Sequence, residues 1–274
     1  MSILVATDGS AHATVALTYS AHLANALEES LVILTIVKKE EEVERARHTL
    51  QSAEFIVKPH NVRYETRLRR GHPAEEIVRE AEEKRHQLAI VGDKQHQGLF
   101  TRFLLGSTAL RVVEHAPCPV VVVKGEIGPI KRILICDSGA PEAKIIDRAT
   151  AQLPRLFDGS AHVTILHVMS HMSAAPGVDG HFLRADANDL IGEHAPEGVI
   201  FTHDLAVLAK SGVQAVAKVR HGRVVDEVLT EAREGDYDLV IIGAHAGTGW
   251  RRILLDDIAH QLVVGTDRPA LVIR

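Results

Sequence analysis

The chain has 274 residues, enough for two domains of ordinary size or one large one. Aromatic residues make up only 4% of it, so its core must be built from Val, Ile, Leu and Ala. A formal net charge of -5 with no basic stripe gives nucleic acid no electrostatic footing, and no apolar run is long enough to cross a bilayer. Two cysteines, Cys118 and Cys136, are too few for a disulfide framework. The chain enters Ile3-Leu4-Val5 without a basic leader or cleavage site, so a cytoplasmic protein is expected.

Residues 2–7 form a short β-branched run ending in Asp8-Gly9-Ser10, and a helix follows with Ala16, Leu17, Leu23, Ala24 and Leu27 on one face. Leu31 to Val37 is a continuous apolar strand of the kind buried on both faces. A charged helix follows, with Val43, Ala46, Leu50, Ala53 and Val57 as its buried stripe. Val62 to Leu68 alternates apolar and polar residues, as an edge strand does. Gly71-His72-Pro73 then opens a helix carrying Ile77, Val78 and Ala81, with proline at a favoured first-turn position. Leu88 opens a fourth strand and Pro119 a fifth. Strict β-α alternation with right-handed crossovers predicts a doubly wound, five-stranded parallel sheet flanked by helices over residues 1–125.

After a short linker containing Gly128 and Pro129, the pattern restarts over 131–274. Arg132 to Cys136 ends in Asp137-Ser138-Gly139, as the first strand ends in Asp8-Gly9-Ser10. Val163 to Val168 matches the second strand, His221-Gly222-Arg223 matches the segment from Gly71, and Leu239 to Gly243 matches Leu88 to Gly92. Asp8 and Asp137 are 129 residues apart, whereas Gly92 and Gly243 are 151 apart, which places an insertion between the second and third strands of the second copy. That segment, residues 169–201, is rich in Gly and Pro. It is expected to be mostly loop and to add little core, apart from a short helix at Leu190 and Ile191.

In such sheets ligands bind outside the carboxyl ends of the strands, where the winding reverses. With strands one and four as neighbours, Asp8 and Gly92 meet at that crevice. Asp8 can accept from a ribose hydroxyl or a base amine. Gly92 lets the backbone approach a flat ligand, and Gly106, Ser107 and Thr108 open a helix whose free N–H groups and hydroxyls suit phosphate oxygens.

The opening I-L-V-A-T-D-G-S at 3–10 and the stretch L-L-G-S-T-A-L-R-V-V-E-H-A-P-C-P-V-V-V-V at 104–123 resemble the universal stress proteins, in their tandem form. The resemblance covers nearly the whole chain outside the insertion. It implies two adenine nucleotide alpha hydrolase-like domains, packed as an intramolecular pseudo-dimer through their last strands, Pro119–Val123 and Pro269–Ile273. Homodimers and an unidentified protein partner are consistent with it. It also implies a site for ATP or another adenine nucleotide, with or without Mg2+. That site would be formed by Ala6, Thr7 and Asp8, by Val37, by Val91, Gly92, Lys94, Gln95 and Gly98, and by Gly106, Ser107 and Thr108.

ATP-binding members carry Gly-x-x-Gly, a fixed spacer, then Gly-Ser or Gly-Thr. In the first copy Gln95 stands where the second glycine belongs, and the stretch to Gly106 is one residue longer than the motif allows. Gln95 either blocks close backbone approach or points outward at little cost. In the second copy Ala246 replaces that glycine, and Asp256-Asp257 replace Gly-Ser, so two carboxylates would repel a polyphosphate. Nucleotide binding is therefore expected in the first domain only.

Other chemistries fit less well. There is no P-loop and no nucleophile with a base and an orienter. His162 and His167 differ by an odd number, so on one strand they face opposite sides, and His171 and His181 read as loop residues rather than metal ligands. Ser107 also suits a plain helix cap, and Asp8 a plain turn. The expected role is a stress-response regulatory binding module. A slow ATP hydrolase and a structural protein with both sites degenerate are the alternatives.

Overall fold

The structure, a computed structural model, describes residues 2–93, 105–125, 127–138, 144–159, 161–169, 185–244 and 257–274. The first half runs β1 (Ser2–Ala6), α1 (Ala11–Leu27), β2 (Ser30–Val37), α2 (Val43–Val57), β3 (Tyr64–Arg70), α3 (Pro73–Lys84), β4 (Leu88–Gly92), α4 (Ser107–His115) and β5 (Val120–Val123). The second runs β6 (Arg132–Asp137), α5 (Ile145–Gln152), β7 (His162–Met169), α6 (Ala187–Gly192), α7 (Pro196–Lys210), β8 (Gln214–His221), α8 (Val224–Glu234), β9 (Leu239–Gly243), α9 (Asp257–Gly265) and β10 (Ala270–Ile273).

The described strands form one sheet in the order β3-β2-β1-β4-β5-β10-β9-β6-β7-β8. Pairing is parallel within each half, and the halves join through the antiparallel pair β5–β10, with Val121 opposite Leu271. The last strands thus meet as the family resemblance implies. Each is apolar and buried throughout, and each would be an open sheet edge without the other.

Strand side chains alternate between the faces, so two cores form, and each runs unbroken through both halves. Ile3, Val5, Val121, Ile133 and Leu271 lie in one core, Leu4, Val120, Leu134 and Val272 in the other. Helices α1, α2, α5 and α7 contribute to the first core, and α3, α4, α8 and α9 to the second. At the seam Gly125 has φ +64°, and a Cβ there would collide with the Asp267 carbonyl. Only glycine fits both demands.

Two expectations are corrected. β3 is an edge strand, but it runs from Tyr64 to Arg70, and Val62 is buried ahead of it. The 169–201 segment also contributes more core than its Gly and Pro content predicts: Ala185, Ala187, Leu190, Ala195 and Phe201 are all buried in the first core. Five residues, 38–42, separate β2 from α2, while 170–195 separate β7 from α7. The extra length therefore ends before Pro196, and Phe201 belongs to the helix equivalent to α2.

Candidate functional site

From β1 the chain winds outward through β2 to β3 on one side and then crosses over to β4 and β5 on the other, so the crevice between β1 and β4 is the switch point of the first half. A cleft of about 210 Å³ opens there. Its walls are Ala6, Thr7 and Asp8 after β1, His12 and Ala13 at the start of α1, Ile36 on β2, Pro73 and Ile77 on α3, Val91 and Gly92 on β4, and Gly106 to Ala109 at the start of α4. Eight of the residues named from the sequence (Ala6, Thr7, Asp8, Val91, Gly92, Gly106, Ser107, Thr108) thus converge. Val37 does not line the cleft. Ile36 does, because successive strand residues face opposite sides, and the Val37 carbonyl is engaged by the Gly71 amide at 2.9 Å. Lys94, Gln95 and Gly98 lie outside the described residues.

The sequence argument missed His12, Ala13, Ile36, Pro73, Ile77 and Ala109 as wall residues. The signal for Ile36 was strand parity. For His12 it was the short Asp8–Ala11 connection, which places the first turn of α1 over the ends of β1 and β4.

Asp8 is exposed and accepts from the Ser10 amide at 3.0 Å and from the Ser10 hydroxyl. Partial burial pushes the Asp8 carboxyl upward, but these hydrogen bonds and the nearby His12 outweigh it and hold the group below its ordinary value. It is therefore an anion and an acceptor at neutral pH. Ser10 Oγ also lies 2.9 Å from His12 Nε2. With the hydroxyl proton donated to Asp8, the imidazole is the donor to Ser10 and not its base, so this Asp-Ser-His set is not an activated nucleophile.

Gly92 has a second reason to be glycine. A Cβ there would sit 2.6 Å from the His12 carbonyl oxygen, so α1 can close over β4 only without one. Gly106 differs: the nearest atom to a Cβ there is Asp93 Oδ1 at 3.8 Å. The Gly106 amide donates to that oxygen at 3.1 Å, and Gly106 is the N-cap of α4. The start of α4 thus faces the cleft with the positive end of its dipole, and Ser107 and Thr108 lie in its first turn.

The corresponding crevice of the second half, between β6 and β9, is occupied differently. A Cβ on Gly243 would meet Arg148 Nη2 at 3.4 Å, and Arg148 Nη1 donates to the Ala244 carbonyl at 3.3 Å. The Arg148 side chain thus lies over the end of β9. Three acidic residues, Asp137, Asp147 and Asp204, lie close together in this half. Asp137 and Asp204 are both buried, and Asp147 pairs with His203 at 3.0 Å. Asp257 opens α9 with a carboxylate where α4 has Ser107, while Asp256 and Ala246 lie outside the described residues. His162 is exposed on β7, and His167 Nδ1 lies 3.2 Å from the Asp137 carbonyl oxygen. His171 and His181 lie outside the described residues. Both thiols are free and burial raises them, Cys118 to about 11 and Cys136 to about 12. No helix among the described residues is long and apolar enough to cross a membrane.

The chain is 24% identical to a universal stress protein of Mycolicibacterium smegmatis, an alignment covering 99% of this chain and 96% of that one. It is 40% identical over 81 residues to one from Methanocaldococcus jannaschii, a match that spans 30% of this chain and 47% of the relative's length. Among solved structures, a universal stress protein from Archaeoglobus fulgidus superposes over 100% of this chain and 98% of its own with a TM-score of 0.76 at 16% identity, a likeness of fold. The profile of the universal stress protein family matches residues 1–124 and again 129–274, so the chain belongs to that family, with two of its domains in tandem.

Proposed function

We propose that the protein is a cytoplasmic stress-response regulatory module that binds ATP or a related adenine nucleotide in the first-half cleft only. One contrast carries this reading. Asp8, Gly92 and the start of α4 converge on an open cleft, while Arg148 lies across the equivalent crevice of the second half. Asp8 serves the ribose or base, and the Gly106–Thr108 turn serves the phosphates, with or without Mg2+. The ligand acts by shifting the conformation and the partner choice of the tandem pair.

A ligand that binds only the native state stabilises it by about 2.7 kcal/mol at a hundredfold excess over Kd. ATP should therefore raise the melting temperature of the full chain. Gly106→Asp, which puts a carboxylate at the phosphate turn, should abolish the rise. No rise at millimolar ATP would reject nucleotide binding, and steady ATP turnover lost in Gly106→Asp would favour the hydrolase alternative.

A further inference from the structure

Each half of the sheet ends in a cation that reaches the other half. Lys124, directly after β5, is 6% exposed, and its Nζ donates to the carbonyls of Val263 (2.7 Å) and Val264 (2.9 Å) in the last turn of α9. Arg274, directly after β10, donates to the Val113 carbonyl in the last turn of α4. These two contacts are related by the repeat: Lys124 and Arg274 are 150 residues apart, and so are Val113 and Val263. Each cation thus meets the unsatisfied carbonyls and negative dipole end of a helix from the other half.

The two clamps differ in one respect. Lys124 Nζ lies 3.3 Å from Asp93 Oδ2, and Asp93 is itself buried. The other Asp93 oxygen accepts from the Gly106 amide in the cleft wall. In the second half the residue equivalent to Asp93 is Ala244, so that position offers Arg274 no carboxylate. A single line of buried polar contacts therefore runs from the start of α4 through Asp93 and Lys124 to the end of α9. Burial pulls the Lys124 amine down from its ordinary value, and Asp93 opposes that, so the charge that grips α9 depends on Asp93.

We infer that Asp93 and Lys124 are a relay through which anion occupancy at the start of α4 tightens the hold of the first domain on α9. The inference rests on the reading of the cleft as a nucleotide site. A phosphate accepting from the Gly106 amide displaces the Asp93 oxygen bound there. The freed carboxylate turns its charge toward Lys124, which strengthens the ammonium that grips Val263 and Val264. Coupling is reciprocal, so a lost clamp also weakens nucleotide binding.

Hydrogen exchange on the full chain tests this. With ATP, wild-type peptides covering 105–112 and 262–268 should both gain protection. Lys124→Met should keep the first response, at higher ATP, and lose the second. Lys124→Arg should restore the second, because Arg274 shows that a guanidinium makes the same contact. Protection at 105–112 with none at 262–268 in the wild type overturns the relay, as does an unchanged response in Lys124→Met. If ATP protects neither segment, the nucleotide reading fails, and the relay is decided by ligand-free Asp93→Asn, also the alternative should Lys124→Met not fold. Faster exchange at 262–268 in that variant supports the wiring, and wild-type exchange there overturns it.

Discussion

Arg69 on β3 donates to the buried carboxylate of Glu80 on α3 at 2.6 Å, and also bonds Glu76 at 2.7 Å and Glu83 at 2.9 Å. Each of these residues has a counterpart 151 positions later: Arg220 on β8 binds Glu227, Glu231 and Glu234 on α8 at 2.8, 2.7 and 3.0 Å. A second cation serves the central glutamate in each half, Arg67 at Glu80 and Lys218 at Glu231. The two switch-point crevices have diverged while this network has not, so it belongs to the packing of the edge strand and not to a site. Lys218 and the Tyr237 hydroxyl still serve Glu231 when Arg220 is removed, so Arg220→Met should cost only the lost charged hydrogen bonds, about 1.5–3 kcal/mol in urea unfolding. Burial pushes Glu80 upward, but its bonds to Arg69 and Arg67 outweigh that and lower it. Its contribution is therefore full above the unfolded carboxylate pKa and is lost as pH falls through the lowered folded value. Arg69→Met should flatten this acid limb of the stability curve.

Gly92→Ala tests whether this glycine serves packing as well as binding. The new Cβ would meet the His12 carbonyl, which α1 holds rigidly, so the strand and helix must separate. A loss of about 1–3 kcal/mol without any ligand present is expected. Unchanged stability with lost nucleotide binding would restrict Gly92 to the ligand.

Leu190 tests the role of the segment between β7 and α7. It is fully buried, in the same core as Phe201. Leu190→Ala should destabilise the protein by about 2–5 kcal/mol. A near-neutral result would show that α6 is an appendage.

Asp204 on α7 is 4% exposed. Burial pushes its carboxyl up to about 7, with Asp137 and Asp147 adding to the rise and His203 opposing it. Because the folded value lies above the unfolded one, the native state binds more protons between about pH 4 and pH 7, and stability falls as pH rises through that window. Asp204→Asn should raise the denaturation midpoint at pH 8 and leave it nearly unchanged at pH 4. An equal gain at both would point to packing instead of charge.

Much of the fold was legible because buried parallel strands leave continuous apolar runs, as at Leu31–Val37, Leu88–Val91 and Val120–Val123. Asp8, Gly92 and Gly106–Thr108 were legible because switch-point chemistry sits just past such runs. Other features depend on facts that spacing does not carry. Glycine offsets count inserted residues without saying where α7 begins, and so Phe201 read as part of a mostly loop insertion. Val37 was named through the family resemblance, whereas Ile36 is the residue of that strand that lines the cleft. The Arg69 and Arg220 networks were not read from the sequence, since only the places of β3 and β8 at the two sheet edges set an arginine over the glutamates. Lys124 and Asp93 are distant in sequence from their partners, Val263 and Gly106 respectively.

The central claim is one nucleotide site per chain, in the first half. Isothermal titration of nucleotide-free full-length protein with ATP measures it directly. The account predicts a stoichiometry of about one per chain, eliminated by Gly106→Asp and unaffected by Arg148→Ala at saturation. A stoichiometry of about two, heat that survives Gly106→Asp, or no binding at millimolar ATP would contradict it.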